Sequence, residues 1–172
     1  MTPRGFEMVQ RSADRPTLQG RSALVTGGGS GIGLAAAAAL VADGADVTLM
    51  GRTAEKLEAA AEQLRQQAPE GVRVRTSAGD VTADADVAAA VALADADQTL
   101  RIVVASAGDG TMGPVVATST EEWNRILGVT LTGVFLVFRE AGAAIVRNGG
   151  GSMVAVSSVA SRLTHRFMAP YS

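Results

Sequence analysis

Eight consecutive residues, Thr26-Gly27-Gly28-Gly29-Ser30-Gly31-Ile32-Gly33, have the composition of a phosphate cradle. A pyrophosphate needs N–H donors brought close to its oxygens. A helix N-terminus supplies free N–H groups and a partial positive charge. Side chains would hold that backbone away from the anion. Glycine removes them and also permits positive φ. An empty tight turn would not need so many glycines between a strand and a helix. The spacing is T-G-x-x-x-G-x-G, and no register gives G-x-G-x-x-G. A P-loop is excluded, because the Lys it requires is missing. The ligand that suits this turn is an adenine dinucleotide, contacted by Gly27, Gly29, Ser30, Gly31, Ile32 and Gly33.

A second short feature bears on which dinucleotide. An acidic residue at the end of the second strand would accept from a ribose 2′-OH and repel a 2′-phosphate. This chain has Gly51 there, followed by Arg52. Glycine leaves room, and the planar guanidinium fork pairs well with a phosphate. The expectation is NADP(H) in preference to NAD(H).

Composition removes several other chemistries. There is no cysteine among the 172 residues, so disulfides, thiolate nucleophiles and Cys-ligated metals are out. The single His, His165, cannot build a His-rich metal site alone. The net charge is -2 and the basic residues are scattered, which argues against a nucleic-acid partner. Residues 1–17 lack the apolar run of a signal peptide and read as a flexible N-terminal extension. The uncharged stretch Ile126–Phe138 reads as too short to span a bilayer. The expected compartment is the cytoplasm, with no membrane partner.

These features need elements to position them. Apolar runs alternate with Ala-rich helical segments over residues 18–172, which read as one dinucleotide-binding domain. Strands are expected at Ser22–Thr26, Asp46–Met50, Val72–Thr76, Arg101–Ala105 and Met153–Ser157. Helices are expected at Gly31–Asp43, Thr53–Gln67 and Asp84–Ala96. A long helix capped by Ser119 or Thr120 should run to about Arg147. Strand-helix alternation with short connections implies right-handed βαβ units and a parallel sheet. The third strand alternates (Val72, Arg73, Val74, Arg75), as an edge strand tolerates, while the others read as covered on both faces. In the strand order 3-2-1-4-5-6 the third strand is that edge. The fold expected is a Rossmann-type α/β doubly wound parallel sheet in three α/β/α layers.

The T-G-x-x-x-G-x-G turn resembles the signature of the classical short-chain dehydrogenases/reductases, and the resemblance continues in order along residues 18–172. Gly79-Asp80-Val81 is similar to the family's adenine-contacting Asp-Val step. Ala105-Ser106-Ala107-Gly108 keeps the Ala107-Gly108 half of the usual Asn-Asn-Ala-Gly. Ser152–Ser158 resembles the strand that ends in the catalytic Ser. Pro170-Tyr171-Ser172 resembles the start of Y-x-x-x-K. Tyr171 follows Ser158 by thirteen residues, the family spacing, which selects Ser158 over Ser157.

The resemblance implies hydride transfer between NADP(H) and a carbonyl or secondary alcohol of a small-molecule substrate. Tyr171 would give the proton and Ser158 would hold the carbonyl oxygen. Thr130 stands where the family has the Asn of a proton relay, and a Thr lacks the amide's separate donor and acceptor. His165, Phe167 and Met168 would line the substrate cleft or simply form a surface loop. The family Lys would fall four residues beyond Tyr171, past Ser172. A chain ending there is expected to bind cofactor and catalyse poorly, because the Tyr proton lacks its cationic neighbour. The alternative function is a catalytically inactive nucleotide-binding fragment. The apolar fifth strand and the 120–147 helix both read as wanting further partners: C-terminal strands and helices, and a second copy of the chain.

Overall fold

The computed structural model describes residues 18–163 and 165–172, so the extension expected over 1–17 lies outside the described residues. In chain order the elements are β1 (Ser22–Thr26), α1 (Gly31–Ala42), β2 (Asp46–Gly51), α2 (Ala54–Arg65), β3 (Val74–Ala78), α3 (Asp84–Ala94), β4 (Leu100–Ala105), α4 (Thr120–Leu127), α5 (Gly133–Arg147) and β5 (Ser152–Ala155). A π-helical segment, Gly128–Thr132, joins α4 to α5. All strand pairs are parallel, in the order β3-β2-β1-β4-β5. This is the doubly wound three-layer arrangement expected.

Two cores form because strand residues alternate between the faces. Ala23 and Val25 of β1, with Val47 and Leu49 of β2, pack against Ala37 and Val41 of α1 and Leu57, Ala61 and Leu64 of α2. Leu24, Met50 and Val103 face the other way. They meet Val87 and Val91 of α3 and Leu136, Val137 and Ala141 of α5. The helical run Thr120–Arg147 is 28 residues long and, by length and composition, sufficient to cross a membrane. Here its inner face is part of this second core. That corrects the shorter reading based on the uncharged stretch alone.

The edges differ from expectation in instructive ways. β3 begins at Val74, not Val72. The Arg73 N–H donates to the Asp46 carboxylate at 2.8 Å, and its guanidinium returns to the same carboxylate. Side-chain pairing thus occupies the residue where the ladder would start. The opposite edge, β5, is exposed along its whole length, although its sequence reads as buried. It pairs with β4 on one side, and no described strand lies on the other.

Arg73 also contacts Asp97 at 2.5 Å, and Arg75 contacts the same carboxylate at 3.3 Å. Hydrogen bonds from Arg73 and Arg75 hold the Asp97 carboxyl below the usual aspartate range. A carboxyl depressed in the folded state adds stability above its unfolded pKa, and that stability is lost as pH falls through the folded pKa. Asp97→Asn should therefore melt below the parent at pH 7, and the gap should close below about pH 4. Thermal melts at pH 7 and 3 check this. A gap of equal size at both would remove the ion pair as its cause.

Candidate active site

The carboxyl ends of β1, β2, β3 and β4 open onto one cleft of about 830 Å³. A crevice at this end of a parallel sheet is where such folds take ligands. The glycine turn forms its floor. Gly27 adopts φ +67°, and a Cβ there would sit 2.8 Å from the Ser106 carbonyl oxygen and 2.9 Å from the Ala107 nitrogen. A Cβ on Gly33 would lie 2.8 Å from the Gly27 carbonyl carbon. These glycines let β1, β4 and the start of α1 close to backbone contact. Gly27, Ser30 and Ile32 line the cleft, and the Ile32 side chain is 66% exposed at its mouth. Gly29, Gly31 and Gly33 are not on the cleft wall. Gly29 backs onto Leu57, and Gly33 supports Gly27 from behind.

Thr26 was not singled out from the sequence. Its Oγ1 accepts from the N–H groups of Ser106 and Ala107, each at 3.2 Å. It thereby pins the turn after β4 to the turn after β1. The first letter of T-G-x-x-x-G-x-G carried that signal. Arg52, Asp80, Val81, Ala107 and Gly108 all reach the same cleft. The Val81 side chain itself is buried in the core.

The other end of the cleft carries Ser157, Ser158, Ser161 and Tyr171. Ser158 Oγ accepts from the Ala160 N–H at 3.2 Å, which leaves its proton free to donate. Tyr171 is half-buried, with its ring beside Gly110. Thr130 also borders the cleft, but its hydroxyl donates to the Ile126 carbonyl at 2.6 Å within its own helix. That bond sits in the π segment, where a continuous helix was expected, and such side-chain back-bonding loosens the α ladder. Thr130 can accept there but has committed its proton.

A smaller cleft adjoins the first and shares Ser106, Gly108, Ser158 and Tyr171 with it. His165 and Met168 line it; Phe167 turns outward, and its carbonyl accepts from the Gly113 N–H at 2.8 Å. Asp109, also unforeseen, borders this cleft and pairs with Arg125 of α4. Burial pushes the Asp109 carboxyl up, but the Arg125 hydrogen bond, the Gly110 N–H and the charges of Arg125 and Arg52 together hold it below the usual range. A second tie, Thr111 to Glu122, holds the same loop to α4. Among the described residues no group of His, Asp or Glu is arranged to hold a metal ion.

The chain is similar in sequence and in fold to known proteins. It is 33% identical over 156 residues to gluconate 5-dehydrogenase of Gluconobacter oxydans (strain 621H), covering 90% of this chain and 60% of that protein. It is 36% identical to the L-tagatose-forming galactitol 2-dehydrogenase of Cereibacter sphaeroides, covering 87% of this chain and 57% of the relative. Its fold superposes on a short-chain type dehydrogenase/reductase from Mycobacterium ulcerans with TM-score 0.86 and 39% identity, over 91% of this chain and 57% of the other. The chain thus spans less than two thirds of the length of these relatives. The family described as short chain dehydrogenase matches residues 21–172. With the glycine turn, the strand order and this match in agreement, the chain belongs to the short-chain dehydrogenase/reductase family of oxidoreductases.

Proposed function

We propose that residues 18–172 are the dinucleotide-binding domain of an NADP(H)-dependent oxidoreductase that interconverts a carbonyl and a secondary alcohol in the cytoplasm. The observation that carries this reading is convergence: the glycine turn, Arg52, Ser158 and Tyr171 share one cleft. The turn fits a pyrophosphate because glycine at 27 and 33 keeps it in close backbone contact with its neighbours, which a Cβ would force apart. Asp80 and Val81 would hold the adenine end, and Arg52 would take the 2′-phosphate. Ala107 and Gly108, which line the same cleft, would border the nicotinamide half. When bound, NADPH supplies the hydride. Ser158 donates a hydrogen bond to the substrate oxygen as negative charge develops there, and Tyr171 gives that oxygen its proton. Thr130 holds the π segment beside the site.

The two relatives are named for gluconate and galactitol, so a polyhydroxylated alcohol is the substrate class to screen first. Ser106, Asp109 and His165 along the smaller cleft suit hydroxyl groups. The outer face of the 120–147 run exposes Leu131, Phe135 and Val146, and a second copy of the chain is the partner proposed for it. A second reading is dinucleotide binding without turnover, and the Thr130 hydroxyl, already committed to the Ile126 carbonyl, favours it.

The cofactor claim is tested by titrating NADPH and NADH against the full chain, followed by cofactor fluorescence. Arg52→Asp removes a charge-assisted contact and adds a repulsion. It should lower the NADPH/NADH affinity ratio about thirtyfold. An unchanged ratio would take Arg52 out of the 2′-phosphate site.

A further inference from the structure

We infer that Asp86, in the first turn of α3, is a positioning residue for adenine selectivity. It acts through the turn Gly79-Asp80-Val81 and touches no ligand itself. The inference rests on the dinucleotide reading above.

The Asp80 N–H donates to Asp86 Oδ2 at 2.8 Å. The fit is close on the other side too, since a Cβ on Gly79 would meet the Asp86 Cβ at 2.8 Å. Asp86 therefore draws the turn against the start of α3, where its charge also suits the helix N-terminus. The far side of the turn is seated on the π segment and α5. Thr82 packs its methyl group near Gly128, and Val81 packs against Gly133. Within this seat the Asp80 carboxylate has one oxygen held twice. Oδ1 accepts from the Thr82 N–H at 2.9 Å and from the Thr82 hydroxyl at 2.8 Å. Asp80 lines the cleft. With Oδ1 occupied, Oδ2 is the oxygen left to accept from a ligand donor.

The chemical consequence is selectivity for a base that donates. Adenine presents an exocyclic amine; hypoxanthine presents a carbonyl in the same place and would face a carboxylate oxygen. A carboxylate fixed in one rotamer discriminates between them, whereas a mobile one rotates away. Asp86 matters to that discrimination because it fixes the backbone on which Asp80 stands.

The test compares NADPH with its hypoxanthine analogue on the full chain, by fluorescence titration. The parent should prefer the adenine form about tenfold, the loss of one hydrogen bond at a carboxylate. Asp86→Ala should bring that preference to within about twofold, and Asp86→Asn, which keeps volume and a weaker acceptor, should fall between. The Asn variant also keeps the test alive if Ala fails to fold. A role in general stability alone would weaken both cofactors equally. A preference unchanged in folded Asp86 variants therefore overturns the inference. So does a parent that binds both forms with equal affinity, although dinucleotide binding itself would then stand. A parent that binds neither form overturns the dinucleotide reading, and the inference falls with it.

Discussion

Gly33→Val should lower NADPH affinity by at least about a hundredfold, the scale of one or two lost charge-assisted hydrogen bonds. The new Cβ would collide with the Gly27 carbonyl group, whose carbon lies 2.8 Å from it, and would approach the Gly28 Cα at 3.3 Å. These atoms are the cradle itself, so relief requires moving the turn. The same crowding should reduce stability by about 1–3 kcal/mol, the usual cost of overpacking. Gly27→Ala should behave similarly, for a different reason. Its Cβ would drive apart the ends of β1 and β4 and would also sit at φ +67°. Gly29→Ala is the control, because its Cβ would make only ordinary contacts, with Leu57 at 3.5 Å and the Lys56 carbonyl carbon at 3.7 Å. It should retain affinity to within about threefold. Fluorescence titration and thermal melts on the three variants give the comparison. Parent-like binding by folded Gly33→Val would end the phosphate-cradle reading.

Tyr171→Phe should reduce turnover about 10²–10⁴-fold in any form of the protein that reduces a carbonyl, the range for loss of a general acid. NADPH affinity should stay within about twofold, since the ring and its contact beside Gly110 remain. Ser158→Ala should lower turnover about 10²-fold, as removal of one oxyanion donor does. Its loss also removes the acceptor for the Ala160 N–H, so its melting temperature must be read alongside. Full turnover in Tyr171→Phe would exclude Tyr171 as proton donor. A parent that binds NADPH and reduces none of a panel of polyol-derived ketones would favour binding without catalysis.

Most of the site's backbone was legible because local chemistry dictated it. The turn from Thr26 to Gly33 needs glycine for reasons internal to eight residues, and it formed where the sequence placed it. β1 matches its expected limits because Ala23, Leu24 and Val25 are buried on both faces. The polar character of β3 placed it at an edge, where it lies. Its starting point was missed by two residues, because Arg73 pairs with a carboxylate on β2 that is distant in sequence. The π segment was also invisible. The pattern from Thr120 to Arg147 is a good helix throughout, and only the Thr130 hydroxyl on the Ile126 carbonyl marks the break.

The residues that support the site escaped for a single reason. Thr26, Asp86 and Asp109 act through hydrogen bonds to backbone or to an Arg on another segment. Thr26 is marked by its place as the first letter of the turn motif, but nothing in the neighbourhoods of Asp86 and Asp109 distinguishes them from ordinary turn and cap residues.

By itself, then, the sequence determined the strand-turn-helix cradle, the layering of the sheet and the family's signature residues. The first two follow from propensity, periodicity and spacing within a short window; the third follows from resemblance to the family. Tertiary structure alone decided that Arg52, Asp80, Ser158 and Tyr171 share one cleft, and that Thr130 turns its proton inward. It also decided which carboxylates clamp the turns around that cleft. The shared cleft depends on segments tens of residues apart, whose geometry exists only once the sheet has closed them together; the Thr130 and Asp86 bonds span four and six residues, but their direction depends on the packed helices around them.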